Sequence, residues 1–83
     1  DPEIAALAEL NQILNNAYAG KYKKVIKQLD KNEFPDTDKV NELKSFVEAF
    51  CYKCQGDEKK YEIARTEISN GEYLEKLEAV EGN

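Results

Sequence analysis

Apolar residues recur at three- and four-residue intervals along almost the whole chain, and breaks in that spacing divide it into five segments. The first opens on Asp1-Pro2-Glu3, which places a capping acceptor, then a proline at the first helical position, then a carboxylate where the helix dipole favours it. Ile4, Leu7, Leu10, Leu14 and Ala17 or Tyr18 follow as one stripe, with Ala5, Ala6 and Ala8 raising helix propensity, and the segment stops near Gly20. Tyr22, Val25, Ile26 and Leu29 repeat the spacing in a shorter second helix that carries lysines on its other face.

Phe34-Pro35-Asp36-Thr37 breaks the pattern, because a residue before proline avoids the α region and Asp36 or Thr37 can cap the next helix. That third helix is predicted from about Asp38 to Gln55. Its apolar set of Val40, Leu43, Phe46, Val47, Ala49, Phe50, Cys51 and Cys54 is wide enough to meet more than one neighbour, which makes it the central helix. Gly56-Asp57 ends it and starts a fourth, whose buried line is Tyr61, Ala64 and Ile68, with Ile63 partly off that line and an end at Asn70-Gly71. Tyr73, Leu74, Leu77 and Val80 predict a short last helix over 71–81 behind a capping box of Ser69 and Glu72, with a single bent helix over 58–80 as the alternative.

No stretch alternates with period two, so the class is all-α. Loops of two to four residues force antiparallel neighbours, giving one hairpin over about 2–31, a second over about 37–70, and a trailing C-terminal helix that caps them. With 83 residues the chain forms one domain, and a domain this short buries only about 60 to 65% of its unfolded surface, which disfavours a deep cofactor cavity. Apolar residues at 41% are too many for obligate disorder and 2 prolines with 4 glycines too few for an all-β chain.

Chemistry is constrained by what is missing. With 0 histidines the chain lacks the commonest general base and metal ligand, and no glycine-rich phosphate loop, nucleophile elbow or zinc-helix motif is present. No enzymatic activity and no cofactor are expected. Acid pairs such as Asp36 with Asp38 and Asp57 with Glu58 sit at helix starts, where capping explains them.

The net charge of −5 opposes generic nucleic-acid binding, and no run of about 18 apolar residues is present to span a membrane. The charge is uneven: residues 18–31 hold Lys21, Lys23, Lys24, Lys27 and Lys31 against Asp30, while residues 66–83 hold five glutamates against Lys76. The lysines read first as a solvated helix face. The alternative is a site for an acidic peptide, with Tyr18, Tyr22, Lys21 and Lys24 supplying ring faces, hydroxyls and cations.

Cys51 and Cys54 form a Cys-x-x-Cys pair near a helix C-terminus, where the dipole opposes a thiolate. They read as packing residues first, and otherwise as a redox pair or half of a metal site completed by a second copy of the chain. Two cysteines are too few for a disulfide framework, so a reducing, cytoplasmic compartment is expected. A chain that starts at Asp1 and has no methionine is expected to be processed or excised from a longer one, whose targeting segment would be gone.

The hairpin turns carry a further pattern. In the run Asn16 to Leu29, an Ala17-Tyr18 pair, Gly20-Lys21-Tyr22, the small-apolar pair Val25-Ile26 and then Leu29 resemble the turn and second helix of a tetratricopeptide (TPR) repeat. Phe46, Ala49, Tyr52 and Gly56 are similar to the first helix and turn of the next repeat. Small residues let paired helices approach, aromatics fill the space beside them, and glycine ends the first helix in a left-handed conformation. A plain helical bundle with similar turns fits the same residues.

The resemblance implies a ligand groove lined by the first helix of each hairpin, hence Asn11, Asn15 and Tyr18 with Phe46, Phe50 and Lys53. Asn15 matches the asparagine with which some members clamp an acidic peptide tail, but Phe50 stands at the equivalent place in the second repeat. An apolar or mixed peptide therefore suits the groove better. Because repeat arrays need three or more units, two hairpins imply a fragment of a longer array, a capped miniature or half of a homodimer. The expected function is a non-catalytic protein-interaction module or scaffold piece. A small carrier of a lipid or other apolar ligand, and a thiol switch at Cys51 and Cys54, are the alternatives.

Overall fold

In the computed structural model, which describes residues 1–81, each amphipathic segment is a helix: α1 Pro2–Tyr18, α2 Tyr22–Lys31, α3 Asp38–Gln55, α4 Glu58–Thr66 and α5 Gly71–Ala79. The fold is an all-α bundle of two antiparallel hairpins, α1–α2 and α3–α4, with α5 trailing against α3. The radius of gyration is 11.8 Å, close to the ~12 Å of a folded single domain of this length.

Local chemistry explains most of the boundaries. Asp1 Oδ1 accepts from the Glu3 N–H at 2.9 Å, and Thr37 Oγ1 accepts from the Val40 N–H at 3.3 Å, so each caps the helix it precedes. Asp36 instead accepts from the Asn41 carboxamide at 2.7 Å. Asp57 caps α4 through the Lys60 N–H. Gly20 and Gly56, at φ +86° and +76°, turn the chain out of α1 and α3 in the left-handed conformation that only glycine adopts without penalty.

α3 is central, touching α1, α2, α4 and α5. Val40, Leu43, Phe46, Val47, Ala49 and Cys51 are all buried on it, while Phe50 and Cys54 are half-buried. Around it pack Val25 and Leu29 from α2, Ala64 from α4, Ile68 from the linker and Leu77 from α5.

Two expectations need correction, and one alternative is excluded. The buried line of α1 is Ala6, Leu10, Ile13 and Ala17, while Ile4 is 66% exposed and Leu7 and Leu14 are half-buried. Turning Ala6 and Ala17 inward lets the helices approach closely, which branched residues there would prevent. Residues 58–80 do not form one bent helix. α4 stops at Thr66, whose hydroxyl donates to the Ile63 carbonyl at 2.7 Å, and Ile68 is buried in the linker before α5. Nor is there a capping box, because Asn70 caps α5 by accepting from the Glu72 and Tyr73 N–H groups at 2.9 and 3.2 Å. Ser69 is drawn away to Glu42 on α3.

Nothing lies within 4 Å of where a Cβ at Gly20 would sit, so a side chain there meets only backbone strain. Gly20→Ala should lower unfolding free energy by about 1 kcal/mol, and Gly20→Asn by less. Urea midpoints measure both, and an unchanged midpoint for the alanine variant would contradict the assignment.

Candidate functional site

The inner face of α1 and α3 is built by helical spacing. Asn11, Asn15 and Tyr18, at i, i+4 and i+7, share one exposed face of α1. On α3, Lys39, Glu42, Phe46, Phe50 and Lys53 follow the same spacing. The two lines meet at one end, where the Tyr18 ring stands edge-on to Phe50 with centroids 5.1 Å apart and Tyr22 adds a tilted contact at 6.4 Å. Near the other end an open cleft of about 520 Å³ is lined by Leu7 of α1, Asp38, Lys39 and Glu42 of α3, Ser69 and Asn70 of the linker, and Tyr73 of α5.

The predicted residues thus fall into separate groups. Tyr18 and Phe50 come together, and Asn11 and Asn15 extend their face. Lys21 and Lys24 lie at the start of α2, beside Gly20 and Gln55, on a different surface from the cleft. Lys53 is half-buried and engaged: its Nζ donates to the Leu77 carbonyl in the last turn of α5 and lies 5.3 Å from the Tyr61 ring centre. It pins α5 and α4 to α3. Phe46 is 2% exposed and stacks on Tyr73 at 4.7 Å, so its ring is part of the core.

Leu7, Lys39, Glu42 and Tyr73 were not anticipated as lining residues. Glu42 is the most constrained of them. Its carboxylate accepts from the Ser69 N–H at 2.9 Å, the Ser69 hydroxyl and the Asn70 N–H at 3.3 Å. Burial pushes its pKa up, but these three donors outweigh burial and hold it below the ordinary 4.5. Because the folded carboxyl binds its proton less tightly than the unfolded one, the contribution is present above pH 4.5 and is lost as pH falls through the lower folded value. Glu42→Gln should therefore flatten the acid side of the stability curve. Glu42→Ala should cost about 1 kcal/mol at neutral pH. Thermal unfolding between pH 3 and 7, values chosen to bracket the carboxylate range, tests both, and wild-type curves from both variants would refute the clasp.

The cysteine pair is held differently. Cys51 is buried and its pKa is pushed up to about 12, by burial first and then by the neighbouring Cys54 and Glu48. Cys54 is half-buried at the end of α3 and hydrogen-bonds with the Tyr22 phenol, whose pKa is raised chiefly by that contact. A Cys51 thiol that keeps its proton at neutral pH is a poor nucleophile. Between the 9.0 of an ordinary thiol and about 12, the folded state holds a proton that the unfolded state has lost, so stability falls as pH rises across that window. Cys51→Ala should reduce this alkaline slope. In native protein at pH 8, below both values, iodoacetamide should label Cys54 well before Cys51, and equal labelling rates by mass spectrometry would overturn the assignment.

Among the described residues no three His, Cys, Asp or Glu side chains cluster to hold a metal ion, and no helix is long and apolar enough to cross a membrane. No family model matches the chain, and neither a curated protein nor a solved structure shows significant similarity to it.

Proposed function

We propose that this chain is a non-catalytic protein-interaction module of the cytoplasm, in which the shared face of α1, α3 and α5 receives a short segment of a partner protein. The observation that carries the reading is the open cleft between Leu7, Lys39, Glu42 and Tyr73 on the same side as exposed Asn11, Asn15 and Tyr18. Apolar, amide, aromatic and charged groups alternate over that surface, which suits a mixed peptide better than an acidic tail. Tyr18, 55% exposed and already oriented by Phe50, is an aromatic anchor whose rotamer is largely fixed before binding.

Supporting the tetratricopeptide-like form of this reading, α1 and α5 both pack on α3, and glycines in the left-handed conformation close both hairpins. In this form α5 is the cap and α1 and α3 supply the groove. As a piece of a longer array or half of a homodimer the chain would extend the same face.

Peptides enriched from a random display library against the folded domain should perturb the backbone amide resonances of Asn11, Asn15, Tyr18 and Lys39. Asn11→Arg combined with Asn15→Arg should weaken their binding about tenfold, the loss of roughly 1.4 kcal/mol, while leaving the circular dichroism spectrum unchanged. Absence of enrichment, or perturbations confined to other faces, would reject this surface as the docking site.

A further inference from the structure

The face of α2 remote from the core holds a concentration of cation that packing does not account for. Lys21, Lys23, Lys24, Lys27 and Lys31 are all exposed, and Asp30 is the one acid within residues 21–31. With +4 on that segment and −5 overall, the rest of the chain carries −9. Despite that excess of acid, the ion pair found among the described residues is Arg65 with Glu78, and no carboxylate of those residues lies within 4.0 Å of an α2 lysine ammonium. Lys23 and Lys24 are also not placed for helix stability, since cations in a first turn oppose the dipole and α2 has no side-chain cap, whereas Lys31 sits in the last turn, where the dipole favours it.

Two hollows lie along this ridge. One, about 480 Å³ and open, is lined by Lys23, Lys24, Lys27, Gln28 and Lys31. The second, about 240 Å³, shares Lys23 and Lys27 but reaches across to Ile26, Tyr52, Gln55, Asp57 and Lys60. Ile26 and Tyr52 are half-buried and give this hollow an apolar floor, and Lys60 sits 5.8 Å from the Tyr52 ring centre. Asp57 is committed as the α4 cap through the Lys60 N–H. Burial first, and then Glu48, Asp30 and Asp57, raise the Tyr52 phenol above its ordinary value, so its hydroxyl stays neutral at neutral pH.

We propose that the α2 ridge is a second binding site, for a short acidic peptide that lays its carboxylates along Lys23, Lys24, Lys27 and Lys31 and seats one large apolar side chain on Ile26 and Tyr52. Charge complementarity selects the acids, and the apolar floor of Ile26 and Tyr52 selects the anchor. Length selects the class of partner. The ridge is about 15 Å long at 1.5 Å per helical residue, room for about five extended residues. A short peptide ends within it, whereas a nucleic acid or an anionic membrane runs on against the −9 of the remaining surface. The site is separate from the α1/α3/α5 face and does not depend on it.

The probe is a fluorescein-labelled peptide of four glutamates followed by one phenylalanine, titrated into the intact chain with anisotropy as readout. Binding should weaken steeply with added salt, and should fall about tenfold or more in Lys23→Glu combined with Lys27→Glu. It should also fall severalfold when glycine replaces the phenylalanine in the peptide. Asn11→Arg with Asn15→Arg should leave it unchanged, which separates this site from the docking face proposed above. Circular dichroism checks that the lysine variant folds, and Lys23→Gln with Lys27→Gln provides a milder pair. The proposal is overturned by equal affinity in both lysine variants, or by stronger binding to phosphatidylserine vesicles or single-stranded DNA than to the peptide. It is also overturned by a concentration-dependent dimer that the lysine variants abolish, since the occupant would then be a second copy.

Discussion

The whole arrangement depends on α3 being buried on several sides at once. Eighteen residues must form the wall against which four other helices pack, and the structure answers with a mixed surface: Phe46 and Leu43 supply bulk, while Ala49, Val47 and Cys51 allow close approach. Each large side chain fully withdrawn from water contributes about 1.5–3 kcal/mol. In a small domain with few such residues, the face of α3 occupied by one helix is unavailable to another, and the positions of α1, α2, α4 and α5 are interdependent.

Apolar packing alone does not account for α5. Of its nine residues, Leu77 is the one fully buried, and ordering nine residues opposes folding by about 1–2 kcal/mol each. The helix bonds and the Phe46–Tyr73 stack offset part of that. Its placement is completed by two charged side chains of α3, Glu42 gripping the linker through Ser69 and Asn70, and Lys53 bonding the Leu77 carbonyl. An acid thus meets the N-terminal approach to α5 and a cation its C-terminal turn, the signs that the helix dipole favours at each end. The same Glu42 lines the proposed docking cleft, so occupancy of the cleft and the seating of α5 are physically linked.

Helix number, hairpin pairing and the centrality of α3 were legible because the three-four spacing, the caps and the two turn glycines are local signals that agree with one another. The register of α1 was not. Leu10 and Ala17 do lie on the expected stripe, but Ile4 and Leu7 are more hydrophobic than Ala6 and yet Ala6 faces inward, because the separation between helix axes is a tertiary quantity that residue hydrophobicity does not encode. The missed capping box failed for a related reason: Ser69 has a stronger acceptor in Glu42, 27 residues away, and no local pattern announces a partner at that distance. Lys53 read as a groove residue because its spacing placed it beside Phe50, while its bond to α5 is visible only once the chain has folded back.

Charge is segregated in this fold in a way that bears on both proposed surfaces. Acids occupy the first turns of α1, α3, α4 and α5, where they also stabilise the helices, so their positions follow from folding alone. Most lysines of α2 have no such explanation: Lys23 and Lys24 oppose their own helix dipole, Lys31 in the last turn alone complements it, and none pairs with a carboxylate among the described residues. Removing them would not open the core, because Val25 and Leu29 carry the packing of α2. A feature that folding does not require, adjoining an apolar hollow on an otherwise acidic molecule, is one that recognition can use. The mixed inner face and the basic outer ridge therefore differ in kind: the first is a by-product of how α1 and α5 share α3, and the second is not required by the packing of the core.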